Sequence, residues 1–209
     1  MANANVTAVL LASGGLDSTT LAFWLRSQGV SFLPLFINYG QHCATTELNR
    51  LTDLLPSSEF GPLSVLNVSD VYAGCSSRLI SEPDLWKEDV TADDMYLPYR
   101  NLFLMSVAAA FAQGHGLSEV YAAFINSNHA KEIDCSAQFF KRLGEMLADY
   151  GTVQVKMPFR DYTKRQVAEI GLSLDAPIAR TFSCQASSEV PCGACPNCVD
   201  RLDALRDLS

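Results

Sequence analysis

A short segment near the start of the chain has the residue types that can hold a phosphate group. In order, it consists of Ser13, Gly14, Gly15, Leu16, Asp17, Ser18 and Thr19. Glycines allow close approach of the backbone, and the free amides at a helix start attract an anion. Asp17 would repel a bare phosphate, so we expect it either to hold Mg²⁺ or to fix the loop. The simpler alternative is a tight turn with Asp17 as the helix cap.

Four cysteines near the other end of the chain have the spacing of a metal site. They are Cys184, Cys192, Cys195 and Cys198, all within the last 26 residues. Four thiolates fill the coordination shell of a tetrahedral ion and leave no open position for catalysis, so a structural Zn²⁺ is the preferred interpretation. An iron-sulfur cluster is the main alternative because it also takes cysteine ligands, and disulfides are the least favoured.

Alternating apolar runs and helical patterns surround these residues. The patterns predict strands at 6–12, 31–38, 63–68, 120–125 and 152–157, and helices at 18–28, 44–55, 101–112 and 135–150. This alternation predicts an α/β fold, an open parallel sheet with helices on both faces that binds ligands at the carboxyl ends of its strands. We expect one domain over 1–175, a zinc-binding subdomain over 176–209, and a long loop or lid over 75–99.

Composition and charge limit the classes of partner. The chain has 209 residues, of which 48% are hydrophobic, and its formal charge is -8. An acidic protein is disfavoured as a binder of nucleic acid or anionic lipid. No apolar stretch is long enough to span a membrane, and the first residues lack the basic region of a signal peptide. We therefore expect a cytoplasmic protein that acts on small molecules.

The phosphate segment also carries a family resemblance. The string SGGLDST, with its flanking strand and helix, resembles the pyrophosphate loop of the ATP pyrophosphatase superfamily, the PP-loop ATPases. The resemblance implies their adenine nucleotide alpha hydrolase-like fold. It also implies that ATP is cleaved between its α and β phosphates, which releases pyrophosphate and leaves an adenylated substrate.

We call residues 176–209 the cysteine tail. With this tail included, the chain resembles the 7-cyano-7-deazaguanine synthase family of queuosine-precursor biosynthesis almost from end to end. Matching positions are Asn38, Tyr39, Gly40 and Gln41 for its DYGQ; Pro98, Arg100 and Asn101 for its PGRN; Asp134 and Cys135 for part of its YPDCR; Lys164 for a lysine that opens a late helix; and Cys192, Gly193, Cys195, Cys198 and Arg201 for its CGxCxxCxxR. The resemblance implies conversion of 7-carboxy-7-deazaguanine to the nitrile with ATP and ammonia.

The resemblance also implies roles for individual residues. The catalytic candidates are Asp17, Arg100 and Lys164; the ATP and Mg²⁺ candidates are Ser13, Gly14, Gly15, Leu16, Asp17, Ser18, Thr19, Asn38 and Tyr39; and the substrate candidates are Arg100, Asn101, Asn126, Asn128 and Asp134. Asn101 has an alternative role as a helix cap. Family members suggest a homodimer.

One segment departs from the family pattern and keeps other functions open. Where the family has GVCETDFSGYPDCR, this chain has AFINSNHAKEIDCS, so that acidic positions become Asn126 and Asn128. Tyr99 also replaces a glycine beside Arg100. One alternative enzyme stops at the amide and joins a deazapurine-like acid to ammonia or to an amine of a protein partner. Another alternative is a non-catalytic nucleotide-binding zinc module, and a transfer RNA thiolase is a weaker one.

Overall fold

Five parallel strands form one sheet. The computed structural model describes residues 6–91, 93–125 and 135–208. The strands are β1 (Ala8–Leu11), β2 (Phe32–Asn38), β3 (Ser64–Asn67), β4 (Glu119–Tyr121) and β5 (Gln154–Lys156). Their order across the sheet is β3-β2-β1-β4-β5, and every neighbouring pair is parallel. The predicted parallel sheet is confirmed.

Helices cover both faces of the sheet. They are α1 (Leu16–Ser27), α2 (Ala44–Leu54), α3 (Ser57–Phe60), α4 (Arg100–Gly114), α5 (Ala137–Tyr150), α6 (Lys164–Ser173) and α7 (Pro196–Leu205). Side chains alternate between the faces along a strand. Accordingly, Ala8 and Leu10 of β1 pack with α1 and α6, while Val9 packs with α4 and α5. In the part of the chain that is described, no helix combines the length and hydropathy needed to cross a bilayer.

The topology directs the functional segments to one edge of the sheet. From β1 the chain builds outward through β2 and β3, then returns to the other side of β1 to form β4 and β5. The reversal leaves a crevice beside the carboxyl ends of β1 and β4, which is where open parallel sheets bind ligands. Because β1 ends at Leu11, the phosphate segment follows directly into this crevice.

The cysteine tail packs against the irregular segment between β3 and α4. Leu79, Met95 and Leu97 from that segment form a buried cluster with Phe182 and four cysteines of the chain. The four cysteines are Cys43, Cys184, Cys195 and Cys198. Residues 75–99, predicted as a long loop, therefore have a buried apolar side that covers the tail.

Candidate active site

The phosphate segment forms a turn that hydrogen-bonds to itself. The Ser13 amide donates to Ser18 Oγ at 3.2 Å, and Ser18 Oγ lies 3.3 Å from the Gly15 carbonyl oxygen. Gly15 is the last residue before α1, and no side chain caps this helix. Asp17 therefore does not cap the helix, and that alternative is wrong. The first amides of α1 remain available to an anion.

Gly14 lies directly against the backbone of α2. Its φ is +73°, in the left-handed region, and a Cβ built on it would lie 2.7 Å from the Glu47 carbonyl oxygen and 3.1 Å from the Leu51 nitrogen. The Gly14 carbonyl accepts a hydrogen bond from the Phe182 amide at 3.0 Å. Only glycine satisfies both the conformation and the close approach. The loop is thus held between α2 and the chain that leads into the cysteine tail.

Asp17 pairs with Lys164 across the site. Lys164 Nζ donates to Asp17 Oδ2 at 2.7 Å, and the exposed fractions of the two side chains are 16% and 21%. Lys164 is the first residue of α6, whose start is fixed by a capping box between Thr163 and Gln166. The second carboxylate oxygen, Asp17 Oδ1, is buried and has no hydrogen-bond partner among the described residues. A buried acceptor of this kind beside a phosphate loop fits a Mg²⁺ ligand.

A pocket of about 270 Å³ opens at the carboxyl ends of the strands. Nine of the residues predicted for the site line it: Ser13, Gly15, Leu16, Asp17, Ser18, Tyr39, Arg100, Asn101 and Lys164. Residues far apart in the chain, from α1, β2, α4 and α6, therefore meet around one space. Its size is just below the usual range of about 300–1,000 Å³ for small-molecule sites.

The other predicted site residues have different surroundings. Gly14 lies behind the loop, and Thr19 is fully buried. Asn38 ends β2, where its Oδ1 accepts a hydrogen bond from the Gly40 amide at 3.0 Å and shapes the turn. None of these three lines the pocket. The substrate candidates Asn126, Asn128 and Asp134 lie outside the described residues.

The start of α4 carries the cationic side of the pocket. Arg100 is the first residue of the helix, and its guanidinium opposes the effect of burial, which raises the pKa of Tyr39. Tyr99 precedes it with a φ of +57°, the left-handed conformation that explains a family glycine at this position. Asn101 lies within the helix and donates from Nδ2 to Cys135 Sγ at 2.9 Å. The alternative of a helix-capping Asn101 is therefore wrong.

The pocket also contains polar residues that the sequence did not assign to the site. They are Gln41, Glu47, Ser183, Gln185 and Asn197. Three of them belong to the cysteine tail, and Asn197 Nδ2 donates to Gln185 Oε1. Ser183 Oγ is buried without a partner in the described parts of the chain. Gln41 could have been found, because it belongs to the matched NYGQ stretch, whereas no sequence signal marks the tail residues.

Gln41 connects the end of β2 to Glu47. Its Oε1 accepts a hydrogen bond from the Tyr39 amide at 3.0 Å, and its Nε2 donates to Glu47 Oε2 at 2.9 Å. Burial raises the pKa of the Glu47 carboxyl, and the hydrogen bonds from Gln41 and from Cys43 partly oppose this effect. Glu47 is thus an acidic group on the wall of the pocket whose pKa lies above its ordinary value.

The four cysteines of the tail converge. The Sγ atoms of Cys184, Cys192, Cys195 and Cys198 all lie within 4.8 Å of one another. A hydrogen bond from the Cys184 thiol lowers the pKa of Cys195. Four sulfur ligands at this separation could hold a metal ion, and they would complete a tetrahedral shell.

The tail is tied to the phosphate loop through Arg201. Its guanidinium donates to Thr181 Oγ1, to the Ile178 carbonyl at 2.9 Å and to the Ala179 carbonyl at 3.1 Å. The next residue after Thr181 is Phe182, whose amide bonds to Gly14. Arg201 thus positions the segment that supports the loop.

A second connection joins the tail to Glu82 in the long loop 75–99. Glu82 accepts hydrogen bonds at 2.7 Å from both the amide and the hydroxyl of Ser188. His42 Nδ1 lies 2.7 Å from the same hydroxyl, and His42 Nε2 lies 3.0 Å from the Gln185 carbonyl oxygen. These contacts fix Gln185 beside the pocket.

Comparison with known sequences gives one consistent result. A family model described as queuosine biosynthesis protein QueC matches residues 7–209. The 7-cyano-7-deazaguanine synthase of Methanospirillum hungatei is 32% identical over 96% of this chain and 95% of its own length. The corresponding enzymes of Halobacterium salinarum and Caldicellulosiruptor bescii are 30% and 29% identical, each over 96% of this chain and over 91% and 93% of their own lengths.

Solved structures show the same fold. A 4-thiouridine synthetase, solved as an RNA complex with bound ATP, superposes with a TM-score of 0.55 at 17% identity, over 99% of this chain and 52% of that one. A predicted tRNA methyltransferase subunit from Methanocaldococcus jannaschii gives 0.53 at 14% identity, over 80% and 76%. The fold is that of the PP-loop ATPases.

Proposed function

Because this chain belongs to the QueC family of queuosine biosynthesis proteins, we propose that it is an ATP-dependent carbon-nitrogen ligase that converts 7-carboxy-7-deazaguanine to 7-cyano-7-deazaguanine. The observation that carries the proposal is the meeting of the phosphate loop, the Asp17–Lys164 pair and Arg100 around one pocket. This arrangement offers donors and cations to a triphosphate and an acid at the same time.

ATP would bind with its phosphates on the loop. The amides at the start of α1 and the hydroxyls of Ser13 and Ser18 are the donors, and Lys164 adds a positive charge. Asp17 would hold Mg²⁺ through its buried Oδ1, and the ion would supply charge neutralisation to the phosphates. Arg100, which lines the same pocket, would orient the carboxylate of the acid.

The chemistry begins with attack of a carboxylate oxygen on the α-phosphorus. Pyrophosphate leaves, and the acid becomes an acyl adenylate whose C–O bond is easily broken. Ammonia attacks the acyl carbon and AMP departs, which gives the amide. A second adenylation, on the amide oxygen, lets AMP leave again as the nitrile forms. The protein contributes position and charge stabilisation, as enzymes of phosphoryl transfer do.

We further propose that the four-cysteine site holds zinc in a structural role. Sulfur ligands suit Zn²⁺, and a shell closed by four of them leaves no position for a substrate. Arg201 and the Phe182 amide connect this site to the phosphate loop, so the ion would stabilise the wall of the pocket. Binding of structural zinc is worth about 10–16 kcal/mol in small peptides, which is ample to hold a short tail.

Incubation with defined substrates tests the function. The purified protein would receive ATP, Mg²⁺, ammonium and 7-carboxy-7-deazaguanine, with the product identified by mass and AMP counted per product. The nitrile with two AMP supports the proposal. The amide with one AMP would indicate an enzyme that stops at the first stage, for which a protein amine would be tested next. Absence of pyrophosphate release with any acid would indicate a non-catalytic nucleotide-binding module.

A further inference from the structure

Glu47 is an acidic residue of the pocket that the phosphate-loop and substrate roles leave unused. Resting on the proposed function, we propose that Glu47 binds the ammonium ion and removes one proton from it. Ammonia would then reach the acyl adenylate with a free lone pair. Ammonium itself has no lone pair and cannot attack, so an enzyme that binds the cation rather than free ammonia needs a base in the pocket.

The fold places Glu47 where this role requires it. Its backbone lies against the phosphate loop, since its carbonyl oxygen would be 2.7 Å from a Cβ on Gly14. Its side chain lines the same pocket as Arg100 and Lys164. Gln41 holds the carboxylate through a hydrogen bond of 2.9 Å to Oε2, and Gln41 is itself fixed by the Tyr39 amide. Glu47 is therefore oriented by buried groups rather than by solvent.

The two acidic side chains of the pocket have different partners. Asp17 and Glu47 are the acids among the described residues that line it. Asp17 is paired with Lys164, and that pair belongs to the phosphates. Glu47 is held by hydrogen bonds from neutral groups, the Gln41 amide and the Cys43 thiol. Its negative charge repels a phosphate and attracts a small cation, and ammonium is the cationic substrate of the proposed reaction.

The environment of Glu47 also suits proton transfer. The groups that face it are Tyr39, His42, Cys43 and Arg100. Burial raises the pKa of Glu47, while the hydrogen bonds and the electrostatic effects of His42 and Arg100 lower it. A raised pKa makes a carboxylate a stronger base than an exposed glutamate, which brings its proton affinity closer to that of ammonia.

The protons and electron pairs of the step balance. Bound ammonium gives one proton to the Glu47 carboxylate. The nitrogen lone pair forms the bond to the acyl carbon, the bond from that carbon to the phosphate oxygen breaks, and its electron pair leaves with AMP. The new C–N nitrogen loses one further proton to water, which gives the neutral amide. Glu47 returns its proton to solvent before the next turnover.

Hydroxylamine separates this role from a structural one, because it is largely unprotonated at neutral pH and needs no base to become nucleophilic. In Glu47→Gln we expect turnover with ammonium to fall about 100-fold, the usual loss when a general base is removed. Hydroxamate formation with hydroxylamine should proceed at the wild-type rate. Acid-dependent exchange of pyrophosphate into ATP, measured without any amine, should also be unchanged. Glu145→Gln, on the exposed face of α5, is the matched control.

Each other outcome overturns the inference. If Glu47→Gln turned over with ammonium at the wild-type rate, no base would be needed at this position. An equal loss with hydroxylamine, or a loss of pyrophosphate exchange, would assign Glu47 to positioning or folding. Glu47→Asp retains the base, so it must recover part of the ammonium activity. If the wild type itself shows no acid-dependent exchange of pyrophosphate into ATP, the proposed function fails. If the wild type shows this exchange, only the role of Glu47 is at stake.

Discussion

Lys164 Nζ lies 2.7 Å from Asp17 Oδ2, although 147 positions separate the two residues in the chain. The contact joins the first turns of α6 and α1, so two helices present their amino ends to the same pocket. The positive ends of both helix dipoles and the lysine charge thus lie beside the phosphate loop. The aspartate keeps one buried oxygen available for a cation.

Asp17→Asn should abolish activation without loss of the fold. The amide removes the charge that would hold Mg²⁺, and we expect pyrophosphate release to fall at least about 100-fold, as when one group stabilising a transition state is lost. The metal content of the cysteine site should stay at the wild-type level. Asp149→Asn, at an exposed position of α5, serves as the control. Unimpaired turnover in Asp17→Asn would contradict the assignment.

Gly14→Ala and Gly29→Ala separate the energetic cost of a left-handed backbone conformation from that of a steric clash. Both glycines have φ above +70°, but a Cβ at Gly29 meets no atom within 4 Å, whereas one at Gly14 meets the backbone of α2. The left-handed conformation costs about 1–2 kcal/mol in both variants. The clash should add about 1–3 kcal/mol in Gly14→Ala alone. Urea unfolding measures the loss of unfolding free energy in each variant. Equal losses in the two variants would mean that the loop does not lie against α2.

Cys195→Ser should release the metal and loosen the pocket. We expect a fall in metal content per chain and a decrease in melting temperature on the order of 10 °C, because the tail loses the ion that holds it. The support that Arg201 and Phe182 give to the loop should weaken, and the KM for ATP should rise. Cys75→Ser changes a thiol outside the cluster and should keep its metal. Full metal content in Cys195→Ser would refute this ligand set.

Glu82→Gln should reduce stability in a pH-dependent way. Hydrogen bonds from Ser188 hold the pKa of Glu82 below its ordinary value. For an acid with a lowered pKa in the folded state, the stabilisation is present above the unfolded pKa and is lost as pH falls through the folded one. Because the side chain is exposed and screened, the loss at neutral pH should be below about 1 kcal/mol.

Chemical denaturation from neutral to acidic pH measures this difference. The free energies of unfolding of wild type and Glu82→Gln should converge as the medium becomes acidic, whereas Glu145→Gln should follow the wild type throughout. A difference that grows towards low pH would have the wrong sign for a lowered pKa and would exclude the contact between Glu82 and Ser188 as its source.

Much of the fold could be predicted from local patterns. The apolar run before Ser13 predicted β1, and its position before the glycines predicted the phosphate loop. Strand and helix types depend on periodicity over a few residues, and that information is present in the sequence itself. The cysteine cluster was predictable for the same reason, since Cys192, Cys195 and Cys198 are close in the chain.

The pocket wall could not be predicted in the same way. Gln185 and Asn197 reach the pocket from the tail, and Glu47 reaches it from α2. No local pattern marks them, because their place depends on how distant segments pack. Asn126, Asn128 and Asp134 remain predictions from the family resemblance.

The amino-acid sequence by itself determined the parallel α/β fold, the phosphate loop and the convergence of four cysteines, because each follows from residue types at short spacing. Only the tertiary structure decided that Lys164 neutralises Asp17, that Gly14 lies on α2, and that Arg201 connects the cysteine tail to the loop. These contacts arise because the order of strand addition reverses at β1, which brings distant helix ends to one edge of the sheet. Close packing and charge pairing at that edge depend on the whole chain, and no short segment encodes them.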